Sequence, residues 1–139
     1  MSTITVLGAP RPKGSWRHVG GGRLVSMARG LSAWQATIAR AAREQWDLPR
    51  VAVGDPLSVS MVFRMPRPRS RRQERWHAAR PDIDKLIRAV LDGLSGIVYD
   101  DDCTIARIIA VALYETDERP PGVTISVRLC EEDDEHDPA

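Results

Sequence analysis

Hydrophobic and polar residues alternate along three stretches of the chain, and a period of two predicts β-strands. The alternation is clear in 57–65 and 123–129, and a shorter version covers 3–7. A fourth stretch, 104–114, is almost continuously apolar and rich in β-branched residues, which is typical of a central strand. The pattern therefore predicts a sheet of about four strands.

Two other stretches repeat their apolar residues every three to four positions, as amphipathic helices do. We predict the first helix at 32–46, where Ser32 and Gln35 match the spacing of a capping box. The second helix is predicted at 83–95, with Gly96 as its stop signal. The elements follow the order β-α-β-α-β-β. This order predicts an α+β fold, in which a mixed β-sheet of about four strands packs with two main helices.

The length of 139 residues favours one small domain, which we place at 1–130. Residues 131–139 carry six acids and no Lys or Arg, and we expect this acidic tail to be disordered. The whole chain has a formal charge of +1, but without those six acids it has 20 basic and only 13 acidic residues. The cations concentrate in 8–29, with five basic residues and no acid, and in 64–80, with seven arginines and one acid. This excess of positive charge in residues 1–130 is typical of a protein that binds polyanions.

Other compositional signals narrow the cellular context. No apolar run approaches the roughly 20 residues of a membrane span, and no signal-peptide pattern is present at the N-terminus. Cys103 and Cys130 are too few for a disulfide framework and lack zinc-site spacing. These observations favour a cytoplasmic location and no membrane partner. A phage-encoded protein would act in the host cytoplasm.

Carboxylates gather at two predicted element ends. Pro81 favours a helix that begins at Asp82, and in that geometry Asp82 and Asp84 approach one point at the helix N-terminus. A run of three aspartates, 100–102, precedes the strand at 104–114. Carboxylates held close together need a cation between them, and hard oxygen ligands suit Mg²⁺ or Mn²⁺. Beside a cationic surface, such a site indicates metal-assisted phosphodiester chemistry.

Each acid also has an ordinary structural interpretation. Asp82 suits a helix N-cap, Asp84 suits the first helical turn, and Asp92 lies four residues after Arg88 and suits a salt bridge. The aspartate run suits a polar turn before the strand. The Asp-x-Asp pair at a helix start, followed by an aspartate run before a strand, indicates a metal site more specifically than any single acid does.

Three motifs together resemble the RusA family of Holliday-junction resolvases, which come largely from phages and prophages. The opening "ITVLGAPRPKGSWR" is similar to the family's first strand and its Gly-x-Pro…Lys-Gly loop. The stretch "RPDIDKLIRAVLDGL" resembles its Asp-x-Asp helix. The stretch "VYDDDCTI" resembles its aromatic-x-Asp-Asp segment. The resemblance covers most of residues 4–130 and implies a structure-selective endodeoxyribonuclease, a hydrolase of DNA recombination and repair.

The resemblance also implies roles for individual residues. The family's Asp-x-Asp corresponds to Asp82 and Asp84, and its Asp-Asp pair to Asp101 and Asp102, of which Asp102 is the better candidate for the essential third acid. These four would bind Mg²⁺, with Mn²⁺ as an alternative. Arg88 stands where the family often has a catalytic lysine. It keeps the positive charge but would not serve as a proton donor.

The expected partner is branched DNA, a four-way junction, and the family implies a homodimer that cuts two strands symmetrically. Two alternatives from the residues alone stay open: a branched-DNA binder without catalysis, and a metal nuclease for another DNA or RNA structure. A structural phage protein is a third. The cations expected to bind DNA lie in the two basic stretches and at the start of the second helix: Arg11, Lys13, Arg17, Arg67, Arg69, Arg71, Arg72, Arg75, Arg80 and Lys85.

Overall fold

The computed structural model describes residues 2–14, 16–18, 24–26 and 30–136. Its regular elements, in chain order, are β1 (Ser2–Leu7), β2 (Trp16–His18), β3 (Leu24–Ser26), α1 (Leu31–Gln45), β4 (Leu57–Met65), α2 (Ile83–Leu94), β5 (Ile105–Tyr114) and β6 (Gly122–Leu129). Short 3-10 helices cover Arg69–Arg71, Asp102–Thr104 and Glu132–His136.

Four strands form one mixed sheet in the order β1-β6-β4-β5. β6 pairs antiparallel with both β1 and β4, whereas β4 and β5 run parallel. The predicted α+β fold, a mixed four-stranded sheet with two main helices, is therefore confirmed. β2 and β3 form a separate two-stranded antiparallel sheet.

The predicted central position of 104–114 is wrong, because β5 lies at an edge of the sheet. Its outer edge is partly covered by an irregular segment: the N–H of His77 donates to the carbonyl of Ala112 at 3.0 Å, and the N–H of Tyr114 donates to that of Arg75 at 2.9 Å. Loop residues thus replace a neighbouring strand at this end of β5. Further along the edge, Ile108 is 41% exposed.

Both helices pack on one face of the sheet, where alternate residues of β4 and β6 are buried. Phe63 on β4 and Ile125 on β6 are fully buried on this face, and so are Ile38 on α1 and Leu86 on α2. Gly93 permits this close approach, because a Cβ there would lie 3.0 Å from Cγ2 of Ile38. The core therefore fixes the position of α2 against the sheet.

The first helix begins one residue earlier than predicted, with Gly30 as its N-cap in a left-handed conformation, φ 73°. Ser32 and Gln35 consequently do not form the expected capping box. The Gln35 side chain instead donates to the carbonyl of Ala89 on α2 at 3.2 Å, joining the two helices. Among the described residues, no helix is long and apolar enough to cross a membrane.

Part of the acidic C-terminal stretch contacts the sheet. Within Glu132–His136, Asp134 accepts hydrogen bonds from both Nη atoms of Arg128 on β6, at 2.9 and 2.7 Å, and from the N–H of Glu131 at 2.7 Å. The Arg128 guanidinium lowers the pKa of Asp134. A bidentate ion pair therefore holds this turn in place.

Candidate active site

The N-terminus of α2 presents two of the predicted acids. Asp82 is the N-cap, with extended backbone angles of −67° and 143°, and Asp84 lies in the first turn. The Asp82 side chain makes no capping hydrogen bond. Both residues are exposed. Two carboxylates are therefore accessible from solvent at the end of a helix, where the helix dipole favours negative charge.

The other two predicted acids begin the turn before β5, and they differ in their contacts. The carboxylate of Asp101 accepts the N–H of Cys103 at 2.9 Å, and this hydrogen bond lowers the pKa of Asp101. Asp102 instead directs its carboxylate towards Arg88 on α2. The turn is fixed because the hydroxyl of Thr104 donates to the carbonyl of Asp55 at 2.6 Å.

Alternating charges connect the N-terminal loop, α2 and this turn. Nη1 of Arg88 lies 2.5 Å from Oδ2 of Asp102 and 3.6 Å from Oδ1 of Asp92. Oδ2 of Asp92 in turn lies 2.9 Å from Nζ of Lys13. The hydrogen bond to Asp102 raises the pKa of Arg88, so this guanidinium stays protonated. These partly exposed pairs add little stability, and their main effect is to orient the side chains.

A second contact fixes the position of the turn relative to α2. Tyr99 is fully buried, and its hydroxyl donates to the carbonyl of Leu91 at 2.6 Å. The segment that leads to Asp101 and Asp102 is thereby attached to the last turns of α2. The sequence analysis did not predict this role for Tyr99. An aromatic residue directly before the aspartate run is the sequence signal that could have indicated it.

The acids have the oxygen chemistry that Mg²⁺ and Mn²⁺ prefer, but they do not form a closed cage. Within the described ranges, no three His, Cys, Asp or Glu side chains come together as a group that could hold a metal. Asp102 is paired with Arg88 in this conformation. Arg88 also shares a face of α2 with Asp84, which lies four residues earlier.

A cavity of about 800 Å³ opens beside Asp82, between the loop at 8–14 and the segment at 66–81. Its walls are joined where the N–H of Lys13 donates to the carbonyl of Lys85 at 3.0 Å. Five of the cations predicted to bind DNA line it: Arg11, Lys13, Arg71, Arg80 and Lys85.

The remaining predicted cations lie elsewhere. Arg69 and Arg72 are exposed on the outside of the arginine-rich segment. Arg75 is exposed too, with its guanidinium 5.5 Å from the centre of the Trp76 ring. Arg17 belongs to β2, and its side chain is outside the described part of the structure.

Arg67 has a different environment from its neighbours. Nη1 donates to the carbonyls of Arg71 at 2.7 Å and Glu74 at 2.5 Å, and Nη2 donates to the carbonyl of Glu115 at 3.0 Å. Its guanidinium also lies 5.3 Å from the centre of the Tyr114 ring. These contacts fold the arginine-rich segment, residues 66–80. No sequence signal distinguishes Arg67, since its acceptors are backbone carbonyls.

Comparison with protein families gives one match that covers most of the chain. Residues 5–128 match the family model described as Endodeoxyribonuclease RusA. No individual curated protein matches the chain. The match spans nearly all of the sheet and both helices, and it confirms the enzyme class expected from the three motifs. The chain therefore belongs to the RusA endodeoxyribonuclease family.

Proposed function

We propose that this protein is a Mg²⁺-dependent endonuclease that resolves Holliday junctions by paired, symmetric nicks. The observation that carries the proposal is the position of Asp82, which lies at the N-terminus of α2 and on the wall of a cavity lined by five cations. A DNA strand bound by those cations has its phosphates beside the carboxylates. The family match supports cleavage of DNA as the outcome.

The nucleases of this family generally need a divalent metal, and the donors here suit one. Asp82, Asp84 and Asp102, with Asp101, are the residues that would hold it. When bound, a Mg²⁺ ion supplies an activated water and stabilises the charge that develops on the phosphate. Arg88 forms an ion pair with Asp102 in the present conformation, so this pair would have to open before Asp102 could bind a metal.

Arg88 has a second task in this proposal. Its permanent positive charge, one helical turn from Asp84, is suited to stabilise the additional negative charge of the transition state. Proton transfer to the leaving oxygen is not assigned to it, because a guanidinium does not release its proton near neutral pH. Arg80 and Lys85, on the cavity wall, would hold the phosphates that flank the cleaved bond.

Symmetric cleavage requires two active sites related by a two-fold axis, and a homodimer supplies that geometry. The junction has two equivalent strands to cut, so one site per subunit is sufficient. Dimerisation is part of the proposal.

The experiment is a comparison of synthetic DNA substrates with Mg²⁺: a four-way junction, a flap, a linear duplex and a matched RNA hairpin. The proposal expects nicks at symmetric positions on the junction and little cleavage of the others. Preferential cleavage of the flap or the RNA would identify a metal nuclease for another structure. Tight junction binding without cleavage under Mg²⁺ or Mn²⁺ would leave a branched-DNA binder.

A further inference from the structure

We propose that the cavity beside Asp82 receives one unstacked nucleotide of the bound DNA strand, with its base inside and its phosphate at the cationic rim. The inference rests on the proposed function, because it names how that substrate enters the site. The cations explain where a phosphate would bind, and the cavity is the place for the base.

The lining of the cavity combines two chemical characters. Part of its lining is apolar: Pro66, Pro68 and Ala79 are exposed there, whereas Met65 and Tyr114 lie beneath them and are only 3% and 4% exposed. Contact with a duplex backbone needs cations but no apolar recess. A nucleotide has a flat aromatic base and an anionic phosphate, and it matches both characters.

The dimensions agree with an occupant of that class. Pockets for small molecules typically measure about 300–1,000 Å³ and combine an apolar lining with a few polar groups. The present cavity, at about 800 Å³, has room for one nucleotide and is too small for a double helix.

The walls are fixed by main-chain contacts before any ligand binds. Lys13 and Lys85 join the loop at 8–14 to α2. On the opposite wall, the pairing of His77 with Ala112 and the carbonyl contacts of Arg67 hold the arginine-rich segment. A cavity that is already formed loses less conformational entropy when it binds a ligand.

Cations are available at the rim. Within the described ranges, no ion pair joins Arg11, Arg80 or Lys85 to an acid, whereas Lys13 pairs with Asp92 and Arg71 with Glu74. The unpaired cations are therefore available for a phosphate. Asp82 lines the same cavity, so a base held inside leaves its neighbouring phosphate next to a candidate metal ligand.

The test is photocrosslinking of the full-length protein to a four-way junction. The junction carries 5-iododeoxyuridine at one position at a time around the branch point, and EDTA prevents cleavage. Mass spectrometry then locates the crosslinked residue. We expect one position to crosslink to His77, because this half-buried side chain lines the cavity, whereas Met65 and Tyr114 are nearly fully buried. Crosslinks at Trp76 alone, on a junction that is bound and is cut when Mg²⁺ is added, would overturn this inference and leave the proposed function intact.

Two neighbouring variants sharpen the result. Ala79 lines the cavity and Ala78 does not, although both are exposed. Ala79→Trp should lower the crosslink to His77 by about fivefold or more, since entry of the base into the cavity is obstructed. Ala78→Trp is the matched control and should leave the yield unchanged. Equal yields from the two variants would overturn the inference, and a failure of the wild-type protein to bind the junction would overturn the proposed function with it.

Discussion

Arg88 on α2 and Asp102 in the turn before β5 form an ion pair, with 2.5 Å between Nη1 and Oδ2. The pair joins the two elements that carry all four candidate acids. It also distinguishes two neighbouring aspartates, because Asp101 uses its carboxylate to cap the following 3-10 helix at the N–H of Cys103. The acid that faces α2 is therefore Asp102.

This difference predicts unequal effects of two isosteric substitutions. Asp102→Asn should slow junction cleavage by about 100-fold or more, as expected for loss of a metal ligand. Asp101→Asn should slow cleavage less than Asp102→Asn does, because the Asp101 carboxylate caps the following turn and asparagine is an equally good cap. Single-turnover cleavage assays at saturating protein measure both. The assignment fails if Asp101→Asn is the more damaging change.

Arg88 should contribute positive charge and not a transferable proton. Arg88→Lys is expected to stay within about tenfold of wild type, whereas Arg88→Gln should reduce the cleavage rate by about 100-fold with little change in junction affinity. Arg43→Gln, an exposed change in the last turn of α1, is the control. Equal rates for Arg88→Gln and wild type would show that this charge plays no part in catalysis.

Arg67 should matter for folding more than its neighbours do. Arg67→Gln removes hydrogen bonds to several backbone carbonyls and is expected to lower the free energy of unfolding by about 2 kcal/mol. Arg69→Gln, at an exposed position two residues later, should change it by less than about 0.5 kcal/mol. Urea denaturation distinguishes them. Equal unfolding free energies for the two variants would mean that the carbonyl contacts are not stabilising.

The regular elements were predictable from the sequence because one face of each is buried. Val59, Met61 and Phe63 on β4 alternate with more polar residues and are buried against the helices, as the period of two predicts. The start of α2 at Asp82 also followed from the sequence, since Pro81 restricts the residue before it.

Long-range pairing was not predictable in the same way. β5 is apolar on both faces and so resembles a central strand, yet its neighbour at one end is the irregular segment around Trp76, whose pairing with Leu113 has no periodic pattern. The ion pairs of Lys13 with Asp92 and of Arg88 with Asp102 depend on the packing of α2 against the N-terminal loop and the turn before β5. Local sequence identified the acids, but only the fold shows which of them face each other.

The pairing of Asp134 with Arg128 should make this turn resistant to acid. Because the pKa of Asp134 is lowered in the folded protein, the contribution of the pair to stability is complete above the ordinary aspartate value of about 4. It is lost only as the pH falls through the lowered value.

Carbon NMR of the Asp134 carboxyl group, titrated from neutral to acidic pH, measures this directly. No midpoint near the ordinary value is expected in the wild type, whereas Arg128→Gln should restore one. Arg119→Gln, in an exposed turn, is the control. A wild-type midpoint at the ordinary aspartate value would contradict the ordered turn.

The most direct test of the central claim is the single-turnover cleavage rate of a four-way junction, measured for wild type and Asp82→Asn across a range of Mg²⁺ concentrations and in EDTA. Wild type should cut only with the metal, with a rate that saturates as Mg²⁺ rises. Asp82→Asn should bind the junction with similar affinity and cut it about 100-fold more slowly or worse. Equal cleavage by the two proteins, or cleavage by wild type in EDTA, would contradict a metal-dependent site at the N-terminus of α2.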